Sequence, residues 1–509
     1  MTVAWTRLRN ETEIRTDANV NAKSQIPSVV AFSVVSLLVV AELILGTDPA
    51  FVAMMAVTLF CIAITYNLLG GMETFSGLIY SMFALRTIVL SQFVKVLLLE
   101  AADKNLEAPQ LTIAVYMVFF FSAMIGVYAI GPLRINLPRP IELTGESQKN
   151  ALYLVSFVLG LLADLAFQAS MGPGDENQGL KSFGLAFSGL LTFSLVLAVD
   201  QRVKSTNGQH SLSPKVLFPA VFLVLFGHFD TSRSAIMTPG IAYFATCYFR
   251  GFQFKRRHYL VVALGLAAFI LVVSPFELYF RGVLADKSIV DKIYLSTHIL
   301  ETTPNWAVVK AATALGDAES TTRESYFSRP GTGVFSRFSL IRSDSNMINA
   351  CASGFHYGWT SIQADILLSV PSFLYRNKPA DSSSAYTGRV TGLNGDNIEN
   401  SSIVLSCIGD SFGSFGWMGV VLYPILIFPL LFLIVDNIFD IRQPWGTVAV
   451  GIFLGKFPEA TAGTDIMLMI RIPILILLLS YLMAGIMRMI PMRGDHAAPA
   501  LRAGTSSER

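Results

Sequence analysis

Apolar runs of about 20 residues recur along the chain, and they constrain its fold more than any other feature. A run of that length crosses roughly 30 Å of hydrocarbon as an α-helix. Of the 509 residues, 53% are hydrophobic and 14% are charged, whereas soluble domains carry about 25% charged residues. The strands of a β-barrel would read as short segments of alternating polarity. The sequence therefore predicts an all-α polytopic membrane protein.

The apolar runs predict about twelve transmembrane helices, nine before a long polar segment and three after it. Their approximate ranges are 26–46, 50–70, 75–98, 111–132, 151–171, 181–199, 215–229, 233–250, 259–275, 417–436, 445–459 and 466–488. The first 25 residues are polar and mixed in charge, so the first run is interpreted as a true span. The predicted organisation is a tail at 1–25, helices at 26–275, a large loop at 276–415, helices at 416–488 and a tail at 489–509.

Basic residues fall on alternate sides of the predicted spans. They concentrate in the N-terminal tail, in alternate short loops and in the C-terminal tail, for example at Arg7, Arg9, Arg134, Arg139, Arg202, Lys204, Arg256, Arg257, Arg488 and Arg493. The other side carries an acidic loop from Glu100 to Glu107 and the pair Asp175–Glu176. Basic loops remain in the cytoplasm. Both termini are therefore expected in the cytoplasm and the large loop outside it.

The large loop spans about 140 residues, and connections of such length are usually functional. Its composition is not that of a disordered segment, because Ile289, Ile293 and Tyr294 recur at helical spacing. A stretch rich in Ser, Gly and Asn, from Asp381 to Ser402, is its expected flexible part. We expect the chemistry of the protein to lie in this loop.

A polar cluster, His228 to Ser234, separates two short predicted spans at the outer face. Arg233 within it keeps its charge and could donate two parallel hydrogen bonds to a phosphate. The alternative is that Arg233 pairs with Asp230 and fixes a helix end. The cluster alone favours neither interpretation.

Further cations are distributed along the large loop, at Arg281, Arg337, Arg342, Arg376 and Lys378. Cations gathered beside a membrane suit an anionic lipid-linked substrate, because they can neutralise a pyrophosphate as it leaves. The ordinary alternative is that they are solvated or paired surface residues.

Three residues are candidates for a general base. Asp410 lies where the Gly-rich end of the loop re-enters the membrane, His356 lies in the Gly354–Gly358 segment, and Glu277 is close to Arg281. Their alternative roles are helix capping, ion pairing and ordinary loop structure. The sequence shows no metal-ligand spacing, Walker loop or dinucleotide fingerprint. We therefore expect no metal, no cofactor and no nucleic-acid partner.

The four cysteines form no CxxC pattern. Cys61 and Cys247 fall in apolar runs and are expected to pack as small hydrophobic side chains. Cys351 and Cys407 both fall in the large loop, where an oxidising compartment would allow a disulfide. The sequence leaves their pairing open.

Several short motifs resemble those of the O-antigen polymerase family, the Wzy-type polymerases of bacterial surface polysaccharides. The large loop carries Arg337-Phe338, then Pro371 with Arg376 and Lys378-Pro379, and then Asp410-x-Phe412-x-Ser414-Phe415-Gly416-x-x-Gly419. The element Thr231-Ser232-Arg233 is similar to a Ser-Arg motif that polymerases share with O-antigen ligases. Asp410, Phe412 and Ser414 stand where the family has Glu, Tyr and Asn, which leaves the role of Asp410 open.

The resemblance implies a glycosyltransferase of GT-C-like architecture in a bacterial inner membrane. Such a polymerase moves glycan from undecaprenyl diphosphate onto a lipid-linked repeat unit at the periplasmic face, without a nucleotide sugar. Its partners would be the bilayer, a chain-length regulator and a flippase. The residues expected to bind the pyrophosphate are Arg233, Arg281, Arg337, Arg376 and Lys378. The base would be Asp410, His356 or Glu277.

Three other functions remain open. An O-antigen ligase shares the donor and the large loop but transfers glycan to lipid A-core, and it would be expected to depend on a loop histidine, here His356. A polysaccharide flippase or other transporter would use charges at membrane depth, for which the candidates are Arg86, Lys95, Asp164 and Arg471. The residual possibility is an assembly protein without catalysis.

Overall fold

The computed structural model describes residues 25–131, 133, 135–141, 145–170, 184, 187–230, 233–269, 273, 284, 287, 289–302, 326–328, 339–370, 375, 386–388, 391, 405–457 and 460–489. Within these ranges the regular structure is helical and contains no strand. The helices are α1 Ser28–Ile44, α2 Pro49–Leu68, α3 Phe75–Leu97, α4 Pro109–Ile130, α5 Glu146–Ala169, α6 Gly189–Ser205, α7 Pro214–Phe229, α8 Arg233–Phe249, α9 Arg256–Ala268, α10 Ile289–Thr302, α11 Ile341–Cys351, α12 Thr360–Ser369, α13 Cys407–Phe415, α14 Trp417–Ile438, α15 Pro444–Lys456 and α16 Ala462–Met489.

A helix lies in each of the twelve ranges where the sequence predicts a span. Six of these helices are long and apolar enough to cross a membrane, namely α2, α3, α4, α5, α14 and α16. Shorter apolar helices are α1, α7 and the Ala235–Phe249 part of α8. The prediction of a helical membrane protein is therefore confirmed.

The helix bundle has two ends with different neighbours. The loop-facing end comprises the α1–α2 turn at 45–48, the α3–α4 connection at 98–108 and the start of α16, and described pieces of the large loop contact it. The opposite end comprises the α2–α3 turn at 69–74 and the α14–α15 connection at 439–443, joined by the Arg442–Glu73 ion pair at 3.0 Å.

Aromatic side chains fill the centre of the bundle. The ring of Phe83 on α3 lies 5.5 Å from that of Phe428 on α14 and 5.9 Å from that of Phe457. Phe457 directly follows α15, and its ring stacks on Phe428 at 5.7 Å. Because these rings are fully buried, they fix the end of α15 in the interior of the bundle.

Close packing of α4 on α14 depends on Gly126. A Cβ atom at this position would lie 2.5 Å from the carbonyl oxygen of Ile425, which is backbone and cannot move aside. We expect Gly126→Ala to lower the free energy of unfolding by about 1–3 kcal/mol, measured by thermal unfolding in detergent. Gly265→Ala is the matched control, since its Cβ meets no atom within 4 Å. Equal effects of the two substitutions would contradict this packing.

Candidate functional site

A first piece of the large loop, residues 326–328, is held at the loop-facing end by Lys95. Lys95 is fully buried, and its Nζ lies 3.2 Å from Glu100 Oε2 and 4.1 Å from the centre of the Tyr326 ring. Glu100 in turn accepts hydrogen bonds from the N–H of Ser328 at 3.0 Å. Lys95, which the sequence offered as part of a transport path, therefore holds the loop against the bundle.

A second piece is α11, anchored by Asp344. This carboxylate is fully buried and accepts a hydrogen bond of 2.5 Å from the hydroxyl of Tyr116 on α4. It also accepts bonds from the hydroxyl of Ser406 at 2.5 Å and from its N–H at 3.0 Å. Asp344 thus ties α4, α11 and the residue that precedes α13 together.

Asp410, the first candidate base, is fully buried on α13. Its Oδ1 accepts a hydrogen bond of 2.7 Å from the hydroxyl of Tyr357, and its Oδ2 accepts one of 2.9 Å from the N–H of Ala462 at the start of α16. Both oxygens are therefore occupied by the protein, and this arrangement gives Asp410 a helix-capping role. The catalytic role of Asp410 stays a prediction.

Asp344 and Asp410 belong to an acidic cluster of four buried carboxylates, completed by Asp365 on α12 and Asp465 on α16. Asp365 accepts hydrogen bonds from the hydroxyls of Thr461 and Thr464, at 3.0 and 2.7 Å. Among the described residues, no group of three or more His, Cys, Asp or Glu side chains is arranged to hold a metal ion. The cluster joins three loop helices to the start of α16.

Burial raises the pKa of Asp344 and that of Asp410 to about 6 each, from an ordinary value of 3.8. Desolvation is the largest cause and outweighs the hydroxyl and N–H donors, which lower the pKa values. The folded protein therefore holds a proton on these carboxyls in a pH range in which the unfolded chain has released it.

The raised pKa of Asp344 predicts a definite pH dependence. Between pH 3.8 and about 6 the folded state binds more protons than the unfolded state, so the carboxyl's contribution to stability falls as pH rises and is constant above that range. We expect wild type to lose up to about 3 kcal/mol relative to Asp344→Asn between pH 4 and pH 7. Thermal unfolding across this range measures the difference, and a difference independent of pH would refute the assignment.

His356, the second candidate base, lies close to α13 but outside the protein interior. Its exposed ring meets Phe412 edge-to-face, with centroids 5.9 Å apart. The next two residues are fixed to α13, because the N–H of Tyr357 donates to Gly413 O and that of Gly358 donates to Ser414 O, at 3.2 and 2.9 Å. Asp410 and His356 thus belong to one packed unit, with Asp410 inside and His356 at the surface.

Gly416 separates α13 from α14 at the end of the Gly-rich stretch. Its φ of +58° and ψ of −140° form a backbone conformation that is open to glycine and strained for other residues. Beside this kink lie the exposed indoles of Trp359 and Trp417, 68% and 45% accessible. Tryptophans are enriched where lipid meets water, and these two lie at the loop-facing end.

The His228–Ser234 cluster also meets the large loop. Asp230 accepts a hydrogen bond from Gln168 Nε2, and His228 Nε2 lies 3.2 Å from Ser296 Oγ on α10. Lys292, one helical turn before Ser296, is buried here and donates to the carbonyl of Phe229 at 2.8 Å. Sequence reasoning missed Lys292, although its spacing of four residues from Ser296 places both on one helix face.

Of the other predicted site residues, the structure describes the side chain of Arg342 and the backbone of Arg233. Arg233 begins α8, and its side chain lies outside the described part. Arg342 forms an ion pair of 2.9 Å with Glu107 at the loop-facing end. The remaining predicted residues, Glu277, Arg281, Arg337, Arg376 and Lys378, lie outside the described residues.

Two cations lie on α15 and α16 below the docked loop: Lys456, and Arg471, which the sequence offered as part of a transport path. We call Lys456 and Arg471 the cation pair. Lys456 ends α15, which at 13 residues is about 20 Å long and stops inside the bundle. Arg471 is the tenth residue of α16, about 13 Å along that helix from its first residue. The two side chains are within electrostatic range of one another.

The cation pair faces outward. Arg471 lies on the exposed face of α16 together with Ile474 and Leu478, whose side chains are 53% and 63% accessible. Lys456 is also exposed. Within the described part of the chain, neither cation forms an ion pair or a hydrogen bond.

The two loop cysteines are free thiols. Cys351 is buried and its Sγ lies 3.9 Å from Met347 Sδ, while Cys407 is buried in α13. Burial raises the pKa of the Cys351 thiol to about 11, so this thiol stays protonated at neutral pH.

Comparison with known proteins finds no matching family model, no similar curated protein and no similar solved structure. The resemblance to O-antigen polymerases therefore rests on the short motifs of the chain.

Proposed function

We propose that the chain is a polysaccharide polymerase of the O-antigen type, acting at the loop-facing end. It would transfer glycan from undecaprenyl diphosphate to the sugar of a second lipid-linked repeat unit. The observation that carries the proposal is the cation pair, which lies on the lipid-facing side of the bundle below a loop that is packed into the fold.

The cation pair favours an anionic substrate carried by a lipid. A charge at hydrocarbon depth costs free energy unless an opposite charge accompanies it, and such residues usually mark a substrate path. Lys456 and Arg471 have no counter-charge in the described part of the chain. A diphosphate on a polyprenyl tail could reach them sideways from the bilayer and neutralise both.

The docked loop favours chemistry at the same end. Loop helices α11, α12 and α13 contact the bundle through buried polar groups. These contacts hold the three helices against α4 and the start of α16. Groups on a rigid scaffold can be positioned for reaction, which contributes much of the rate of transfer enzymes. A transporter would place its binding charges at the midplane between repeats, whereas Lys95 is used to anchor the loop.

In the proposed reaction a base removes the proton of an acceptor hydroxyl, whose oxygen attacks the anomeric carbon of the donor glycan. The bond from that carbon to the diphosphate oxygen breaks, and undecaprenyl diphosphate leaves with the electron pair. Cations stabilise the departing charge, a role proposed for Arg233, Arg281, Arg337, Arg376 and Lys378 and now extended to the cation pair.

The charges at the two ends favour a periplasmic loop. The loop-facing connection carries Glu100, Asp103 and Glu107 against Lys104. Helix ends and connections described at the opposite end carry Arg139, Lys149, Arg202, Lys204, Arg250, Lys255, Arg256 and Arg257. Basic loops remain in the cytoplasm, so the proposed orientation has both termini inside, and the resemblance to O-antigen polymerases makes a bacterial inner membrane the proposed location. A flippase and a chain-length regulator would be its partners.

The proposal is tested by incorporating the purified protein into liposomes that contain lipid-linked repeat units. Lengthened glycan on the lipid is the expected product. Translocation without lengthening would identify a transporter. Unchanged surface polysaccharide in cells that carry Arg233→Ala or Arg337→Ala would favour an assembly protein without catalysis.

The second candidate function is that of an O-antigen ligase. A ligase is expected to depend on a loop histidine, and the His356 side chain is exposed, so a substrate could reach it. A polymerase that uses His356 as its base is expected to lengthen glycan about 100-fold or more slowly in His356→Ala, and one that uses another base to stay within about tenfold of wild type. Neither polymerase accumulates undecaprenyl-linked polymer in this variant. Gel analysis of lipid-linked and core-linked polysaccharide in cells measures both products. Undecaprenyl-linked polymer that accumulates while core-linked polymer disappears would show ligase activity instead.

A further inference from the structure

A cavity of about 250 Å³ lies at the opposite end of the bundle, away from the large loop. Its walls come from the ends of four helices: Lys149 on α5, Lys204 on α6, Arg250 after α8 and Arg442 before α15. These four cations converge from separate parts of the sequence, so the cavity is built by the fold and not by one basic segment.

Carboxylates neutralise the cavity only in part. Asp200 accepts a hydrogen bond of 3.1 Å from Lys204 and pairs with Arg250 Nε, so one carboxylate serves two cations. At the rim, Lys149 lies 3.9 Å from the exposed Glu146, and Arg442 lies 3.0 Å from Glu73. Among the described residues, the four cations and one carboxylate of the lining sum to a formal charge of +3, and the two rim carboxylates reduce it to +1.

The start of α15 adds a second feature that attracts anions. Gln443, Pro444 and Trp445 line the cavity, and the side chain of Gln443 makes no hydrogen bond that caps the helix. The N–H groups of a helix's first turn carry partial positive charge and bind phosphates well. The four cations and the N-terminus of α15 therefore both favour binding of an anion in this cavity.

The remaining walls are apolar. Ile141, Leu152 and Leu197 line the cavity beside the cations. Its aromatic wall is Phe193 stacked on Trp445, with centroids 3.6 Å apart. A space with a cationic part and an apolar part suits the headgroup of an amphiphile better than it suits a hydrated inorganic ion.

We infer that this cavity binds the phosphate of an anionic phospholipid headgroup from the leaflet at the opposite end. Basic pockets between membrane helices recognise such headgroups on the cytoplasmic side. The site joins α5, α6, α8 and α15, so a bound headgroup stabilises the part of the bundle that carries Lys456. The inference does not depend on the proposed glycosyl transfer.

The test is a titration of the full-length protein in detergent with phosphatidylglycerol, with lipid binding followed by native mass spectrometry. We expect specific binding of phosphatidylglycerol, and its dissociation constant should rise about fivefold for each cation removed in Lys204→Gln and Arg442→Gln. The control removes Lys255 and Arg256, exposed cations of the same end that do not line the cavity. The charge-retaining variant Arg442→Lys should bind within about twofold of wild type.

Two outcomes would overturn the inference. One is an equal loss of phosphatidylglycerol binding in the cavity variants and in the Lys255/Arg256 control, which would show a diffuse surface charge. The other is inorganic phosphate that binds as tightly as the lipid and is equally sensitive to the variants, which would assign the site to a soluble anion. The side chains of Lys204 and Arg442 are 50% and 49% accessible, so both glutamine variants are expected to fold, and either one alone decides the inference.

Discussion

Replacing Lys456 and Arg471 together by glutamine is expected to lower the rate of glycan lengthening by about 100-fold or more. The two cations would lie against the diphosphate as its charge increases during transfer, in surroundings where lipid and protein exclude most water. Each removal withdraws an interaction that is stronger in the transition state than in the ground state. Initial rates with lipid-linked repeat units in liposomes measure the loss.

Two controls separate this loss from general damage to the protein. Lys104→Gln removes an exposed cation from the same end without touching either helix of the cation pair, and it should retain the wild-type rate. Lys456→Arg keeps the positive charge, so this variant should retain most of the wild-type rate of glycan lengthening. A double variant that remains folded and polymerises at the wild-type rate would remove the cation pair from the reaction.

Replacing Asp410 by alanine is expected to lower the free energy of unfolding by about 3 kcal/mol or more. The change leaves the N–H of Ala462 buried without its acceptor, and it leaves the hydroxyl of Tyr357 only the main-chain carbonyl of residue 410, at 3.1 Å. Because these groups hold the loop to the start of α16, the loop should also become more sensitive to protease. Thermal unfolding in detergent and limited proteolysis measure the two effects.

Asp410→Asn distinguishes the structural role from the catalytic one. An amide retains the shape and one acceptor oxygen, so part of the stability is kept, but it cannot remove a proton. If the role of Asp410 is to cap the start of α16, Asp410→Asn should polymerise glycan at close to the wild-type rate and unfold at a lower temperature than wild type. A variant of normal stability that is inactive would instead identify Asp410 as the base.

The helices of the bundle could be predicted from the sequence, because an apolar run of about 20 residues has the length that a helix needs to cross a membrane. A helix lies in every predicted range, and the described loop segment from Ile289 to Tyr294, whose apolar residues have helical spacing, is helical. Helix lengths were harder to predict. The span expected at 445–459 ends at Lys456, since Phe457 packs between α3 and α14.

The candidate site was only partly accessible, because periodicity shows which residues share a face but not which faces meet. The Asp344–Tyr116 hydrogen bond joins residues 228 positions apart, and the bond from Ala462 to Asp410 joins residues 52 apart. Asp410 and His356 were noticed as isolated polar residues, whereas the acidic cluster around Asp410 required the tertiary structure. Arg471 was noticed as a charge at membrane depth, but its nearness to Lys456 required the tertiary structure. Lys292 was missed for the same reason.

The most direct test of the central claim asks where a lipid diphosphate binds. A photoactivatable analogue of undecaprenyl diphosphate is crosslinked to the protein in liposomes, and the labelled peptides are identified by mass spectrometry. The account predicts labelling of α15 and α16 near Lys456 and Arg471, displaced by unlabelled undecaprenyl diphosphate and lost in the double glutamine variant. Labelling confined to the opposite end, or labelling near the cation pair that the unlabelled lipid does not displace, would contradict it.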